Sequence, residues 1–201
     1  MTTYLYPFLG PGKGDLPAVL ADVESSTVQK GADVIALRRA IDLAAVATCA
    51  VAIRERLARG GRLIAFGNGG SCTDARDIAV DCRARGWPAL ALTDDVATIT
   101  AVGNDVGYEN VFARQLIPLA RTDDVALAIS TSGSSANIVA ALEEAHRRQL
   151  LTCALTGYDG GRLRELRWLD HLFVVECDYV PRLQEAHATI YHLLLEEIGD
   201  P

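Results

Sequence analysis

Beyond Gly61 the chain alternates short apolar runs with longer segments of helical period, and this alternation restricts its fold more than any other feature. The runs Leu63 to Phe66, Ala89 to Leu92, Val125 to Ile129, Thr152 to Leu155 and Leu172 to Val175 read as strands. Each is almost continuously apolar, as strands covered on both faces must be, and the segments between them are long enough for helical crossovers. The pattern therefore predicts an α/β fold with a five-stranded parallel sheet between helices. In an open sheet of this kind the ligand crevice lies outside the carboxyl ends of the strands, where the winding reverses. If the strand order is 2-1-3-4-5, the reversal falls between the first and third strands.

The loops leaving those two strands are the most ligand-like in the chain. After Val125 to Ile129 comes Ser130-Thr131-Ser132-Gly133-Ser134-Ser135, with a hydroxyl at every position but one, ahead of a predicted helix over 138–148. Small hydroxyls donate hydrogen bonds without bulk, and a helix N-terminus adds free N–H groups and positive partial charge, so the loop suits a phosphate. Helix capping alone would need one or two of these residues. After the first strand comes Gly67-Asn68-Gly69-Gly70-Ser71. With Asp94 and Asp95 after the second strand it imitates a dinucleotide-binding fingerprint, but Cys72 stands where the third glycine belongs, and the hydroxyl loop has no place in that fingerprint. A sugar phosphate is the better match.

Residues 1–14, rich in proline, glycine and aromatics, read as an irregular arm. Two antiparallel helices are expected over 16–30 and 33–59, the second with Leu37, Ile41, Ala44, Ala45, Val51 and Ala52 on one face and Gly60-Gly61 as its stop. The chain thus divides into an arm and helical hairpin, 1–60, and a ligand-binding domain, 61–201. The net charge of −7, with no basic patch, argues against a direct grip on nucleic acid or an anionic membrane. Five cysteines without C-x-x-C spacing argue against a disulfide framework and fit a reducing, cytoplasmic setting. Neither a signal peptide nor a membrane span is expected.

Phe66 to Ser71, Val102-Gly103-Asn104-Asp105, Ile129 to Asn137, Leu155 to Gly161 and Arg182-Leu183-Gln184-Glu185-x-His187 together resemble the phosphoheptose (sedoheptulose-7-phosphate) isomerases, a branch of the sugar isomerase (SIS) domain superfamily. The match runs in order from about Gly61 to the C-terminus. The resemblance implies a flavodoxin-like sheet, a homotetramer with active sites at subunit interfaces, and conversion of a ketose phosphate to an aldose phosphate. It places Ser71, Ser130, Thr131, Ser132 and Ser135 at phosphate-binding positions, with Asn68, Gly69, Gly70, Asp95 and Gln184 also at the substrate.

The resemblance puts a base and an acid at Asp81 and His192, which an enediol mechanism requires. The family carries histidine and glutamate where this chain has Asp77 and Asp81, so the Asp81 carboxylate sits about one methylene, ~1.5 Å, further back than the family's base. The same resemblance implies a divalent metal, zinc in many relatives, on Asp77, Asp81, Gln184 and His192. From spacing alone Asp77 and Asp81 read as a solvated helix face beside Arg76 and Arg83. Pro181 replaces an aspartate often found near the sugar. His187 matches a family histidine and equally reads as a core residue. Two functions follow: an isomerase of sedoheptulose 7-phosphate or a related sugar phosphate, which the retained Gln184 and His192 favour and which ranks first, or a sugar-phosphate-binding module without catalysis, which the changes at Asp77, Asp81 and Pro181 favour.

Overall fold

Five strands form one parallel sheet in the order β2-β1-β3-β4-β5. They are β1 (Leu63–Gly67), β2 (Ala89–Ala91), β3 (Val125–Ser130), β4 (Leu151–Gly157) and β5 (His171–Val175). The helices are α1 (Leu16–Arg39), α2 (Leu43–Ala58), α3 (Gly70–Ala84), α4 (Val96–Asp105), α5 (Ala113–Leu119), α6 (Ala136–Arg147) and α7 (Val180–Ile198). This is a computed structural model, and it describes residues 16–201; the arm expected over 1–14 lies outside the described residues.

Because successive strand residues point to opposite faces, the apolar runs supply two cores at once. Leu63, Ala65, Leu127, Ile129, Cys153 and Leu155 face α2, α3 and α7. Ile64, Phe66, Ala126, Ala128 and Ala154 face α5 and α6. Ile53, Ile78, Ile138 and Leu142 on the covering helices are fully buried against them, each contributing about 1.5–3 kcal/mol by leaving water. The expected sheet and strand order are as observed, with all five strands within two or three residues of their predicted limits.

The N-terminal helices differ from expectation. α1 runs through Gly31 to Arg39, because one interior glycine costs a helix only about 1 kcal/mol. The break comes instead at Asp42, whose Oδ1 accepts from the backbone N–H groups of Ala44 and Ala45 at 3.0 Å and caps α2. The buried face of α2 is accordingly Val46, Cys49, Ala50, Ile53 and Leu57, while Ala44 and Val51 face outward. Nor do the helices close on each other as their main contact: both rest on α7. The buried side chains of α2 belong to the same core as the sheet, so residue 60 marks a change of pattern within a shared core.

At the amino ends of the strands, opposite the loops of interest, Asp124 is fully buried. It accepts from the backbone N–H groups of Arg62 (2.8 Å) and Arg121 (3.0 Å) and pairs with the Arg62 guanidinium at 2.8 Å. Asp124→Ala strands these donors and is expected to cost about 3–5 kcal/mol in denaturant unfolding. Ligand affinity per folded molecule should stay unchanged, because the carboxyl ends of the strands are untouched.

Candidate active site

The hydroxyl loop leaves β3 at Ser130 and enters α6 after Ser135. Ser135 occupies the N-cap position of α6, yet no side-chain hydrogen bond caps that helix. Capping therefore does not explain the serines. Ser130 and Ser135 bring their Oγ atoms within 3.5 Å of each other, and the free N–H groups of the first turn of α6 open beside them. Gly133 makes the turn at φ +60, where a Cβ would lie 2.1 Å from the Gly160 carbonyl oxygen. The loop is fixed from below: Gly157 N–H donates to the Thr131 carbonyl (2.9 Å), Leu163 N–H to Gly133 (3.0 Å) and Arg162 N–H to Ser134 Oγ (3.2 Å).

The β1 loop joins this one through a reciprocal amide pair. Asn68 Nδ2 donates to Asn137 Oδ1 at 2.9 Å, Asn137 Nδ2 donates back to Asn68 Oδ1 at 2.8 Å, and the Tyr108 hydroxyl reaches Asn68 Oδ1 at 3.3 Å. On its other side the β1 loop touches α7. A Cβ on Gly70 would lie 1.7 Å from Gln184 Nε2, so the absence of a side chain there is what admits the glutamine. Ser71, 3% exposed, sits at the same junction on α3.

One face of α3 carries Asp74, Asp77 and Asp81 toward α7. Asp81 Oδ2 and His192 Nε2 stand 3.6 Å apart, both side chains about half exposed. The neighbouring arginines do not neutralise the aspartates: Arg76 pairs with Asp94 at 2.8 Å, and Arg83 donates to the Ala89 carbonyl at 3.0 Å. Asp77 is exposed and Asp81 about half exposed, as on a solvated helix face, but neither pairs with these arginines. Burial, then the charge of Asp77, lifts the Asp74 carboxyl from an ordinary 3.8 to about 6, and its Oδ2 is buried without a hydrogen-bond partner. Burial, then the charges of Asp74, Asp77 and Asp81, pushes the Tyr191 hydroxyl to about 12. This is a negative wall between α3 and α7, which attracts positive charge.

A bound divalent ion is compatible with this wall. The 3.6 Å between Asp81 Oδ2 and His192 Nε2 is close to the ~3.4 Å that separates two ligands of one tetrahedral ion at ordinary bond lengths. Among the described residues no group of three His, Cys, Asp or Glu side chains is drawn together tightly enough to hold an ion.

The fold brings expected site residues into three contacts: Ser130 with Ser135, Gln184 with Gly70, and Asp81 with His192. Asp95 stands apart from them: it caps α4, accepting from Thr98 N–H (3.1 Å) and from the Thr98 hydroxyl, bonds that hold its carboxyl below the usual range. Asn137, Tyr108, Asp74 and Tyr191 were not among the expected site residues. Asn137 had a signal, a polar residue at the start of an amphipathic helix, whereas Tyr108 reaches the site only through the fold.

Fold, crevice and hydroxyl loop together define a sugar isomerase domain, and a profile of the SIS domain family matches residues 28–157. The chain belongs to the phosphoheptose isomerase family within it. It is 43% identical over 150 residues to the phosphoheptose isomerase of Geotalea daltonii, spanning 72% of this chain and 77% of the relative. It is 42% identical over 172 residues to that of a Roseiflexus species, spanning 79% and 84%. The structure of the Neisseria gonorrhoeae phosphoheptose isomerase superposes with a TM-score of 0.84 at 32% identity, covering 90% of this chain and 98% of the other. That of a Francisella tularensis phosphoheptose isomerase gives 0.82 at 38%, covering 89% and 97%.

The raised carboxyl of Asp74 yields a signed pH dependence. Between about pH 4 and about 6 the folded chain keeps a proton that the unfolded chain has released, so this group's contribution to stability falls through that window and stays low above it. Asp74→Asn should raise the melting temperature of chelator-treated protein at about pH 8 and leave it nearly unchanged near pH 4. An equal shift at both pH values would contradict the assignment.

Proposed function

We propose that the chain interconverts sedoheptulose 7-phosphate and D-glycero-D-manno-heptose 7-phosphate. The carrying observation is the carboxylate–imidazole pair Asp81–His192, 3.6 Å apart on α3 and α7, together with a hydroxyl loop whose serines are not spent on capping. The phosphate is held by Ser71, Ser130, Thr131, Ser132 and Ser135 with the amino end of α6, which fixes the reacting carbons at a set distance. Asp81 removes a proton from C1 of the ketose while His192, as imidazolium, gives one to the C2 carbonyl oxygen, yielding the enediol. Neutral His192 then takes the proton from the C1 hydroxyl as the C1 carbonyl forms, and Asp81 returns its proton to C2. Every proton removed is replaced, and no redox partner is needed. Asn68 and Gln184 orient the sugar hydroxyls.

A divalent ion held by Asp77, Asp81, Gln184 and neutral His192 is a second state of the same proposal, since an imidazolium has no lone pair for a metal; the proton relay above is that of the ion-free site. When bound it supplies polarisation of a sugar oxygen. With three oxygen donors and one nitrogen, the set suits a harder ion such as manganese better than a histidine-rich set does. Calorimetry on chelator-treated protein should register Mn2+ binding that His192→Ala weakens. A homotetramer is also proposed, supported by the exposed Val19, Leu20, Val23, Val28 and Ile35 of α1, as is a cytoplasmic setting, supported by the five free thiols.

The non-catalytic reading is not favoured, since the substituted aspartate still reaches the histidine. Following aldose phosphate formation from sedoheptulose 7-phosphate should show turnover that His192→Ala lowers by about a hundredfold or more. Ser130→Ala should mainly raise KM, about tenfold for one lost charge-assisted hydrogen bond. Absence of turnover by the unmodified protein, with the sugar phosphate bound, would overturn the proposal.

A further inference from the structure

α7 carries one fully buried titratable side chain that the proposed chemistry does not use. His187 lies between Gln184 and His192 in sequence, is 0% exposed, and places Nε2 at 3.1 Å from the Thr156 carbonyl oxygen. A carbonyl only accepts, so Nε2 carries the proton and Nδ1 is left as an acceptor; that Nδ1 is buried with no partner. Burial holds the imidazole pKa below its ordinary value, which keeps the ring neutral and Nε2–H its single donor. A leucine would fill comparable space without stranding a nitrogen, so packing alone does not account for a histidine here.

The acceptor shows what the bond does. Thr156 pairs with Ser130 in the β3–β4 ladder, and its Oγ1 lies 2.6 Å from where a Cβ on Gly133 would stand, directly under the hydroxyl loop. The next residue, Gly157, donates to the Thr131 carbonyl, and a Cβ on it would strike the Leu183 side chain at 2.4 Å. α7 therefore meets this strand end twice. Leu183 on Gly157 is an apolar contact that permits small slides and rotations, whereas the hydrogen bond from His187 has a direction and fixes the helix against both.

We propose that His187 is a positioning residue whose bond to Thr156 locks α7 to the strand end beneath the phosphate loop, holding Gln184 and His192 in register with the bound phosphate. This rests on the isomerase reading for its kinetic consequence, though not for its structural one. A misplacement of about 1 Å between anchored substrate and catalytic groups costs on the order of a hundredfold in rate.

The test compares His187→Gln, whose amide can present a donor near the Nε2 position, with His187→Asn, whose donor falls short, and His187→Leu, which fills the volume alone. For sedoheptulose 7-phosphate, Leu and Asn should lower kcat by about 10- to 100-fold, Gln should stay within about threefold, and the affinity for inorganic phosphate should change less than about threefold in all three. Asn keeps the test open if Leu fails to fold. Side-chain NMR gives a readout without turnover: inorganic phosphate should shift the Gln184 and His192 resonances in the unmodified and Gln proteins, but much less in the Asn and Leu proteins. Leu or Asn matching the unmodified kcat and shifts, or Gln falling as far as Leu, would overturn the proposal. Unmodified protein that binds phosphate without isomerising would sink the isomerase reading alone, and the NMR comparison would still decide the lock.

Discussion

The seating of α7 on one face of the sheet is the constraint on which the candidate site depends. Leu183, Ile190, Leu194, Leu195 and Ile198 are buried there among side chains from α2, α3 and the strands. Each contributes about 1.5–3 kcal/mol by leaving water, which fixes the helix firmly but without direction. At its amino half Leu183 packs on Gly157 and Gln184 on Gly70, and the hydrogen bond from His187 to the Thr156 carbonyl adds the one directional contact among them. Once those are set, His192, on the turn beyond, faces Asp81. A core built for stability thus sets a distance relevant to chemistry.

The electrostatics of α3 follow from the same packing. Asp74, Asp77 and Asp81 recur at three- and four-residue spacing and so share the face turned toward Tyr191. Their neighbouring arginines are committed elsewhere, to Asp94 and to a strand carbonyl. The carboxylates are left close to one another and partly desolvated, an arrangement that raises Asp74 and attracts a positive group. Substituting aspartate for the family's histidine and glutamate alters this wall without dismantling it. The carboxylate at position 81 is shorter and the wall is more negative, while Asp81 still lies 3.6 Å from His192.

The sheet was legible because burial on both faces writes itself as uninterrupted apolar runs such as Val125 to Ile129, and the strand order places the two small-residue loops side by side. The hydroxyl loop was legible because its residues do their work locally, within six positions. The N-terminal helices were read less well: α1 continues through Gly31 because one glycine costs a helix little, and the cap at Asp42 set the start of α2. The contacts that assemble the site from distant segments, Asn68 with Asn137 and Tyr108, and His187 with Thr156, leave no spacing signature. They depend on where the helices come to rest.

The central claim is that Asp81 moves a proton between adjacent carbons of a sugar held by its phosphate. It is tested most directly by running the reaction in deuterated water and following deuterium at C1 of recovered ketose and C2 of product by NMR, for the unmodified protein and for Asp81→Asn. The account predicts deuterium at these carbons with the unmodified protein, and neither exchange nor turnover with Asp81→Asn despite retained sugar-phosphate binding. Exchange at an unchanged rate in Asp81→Asn would contradict it and assign the base to another residue.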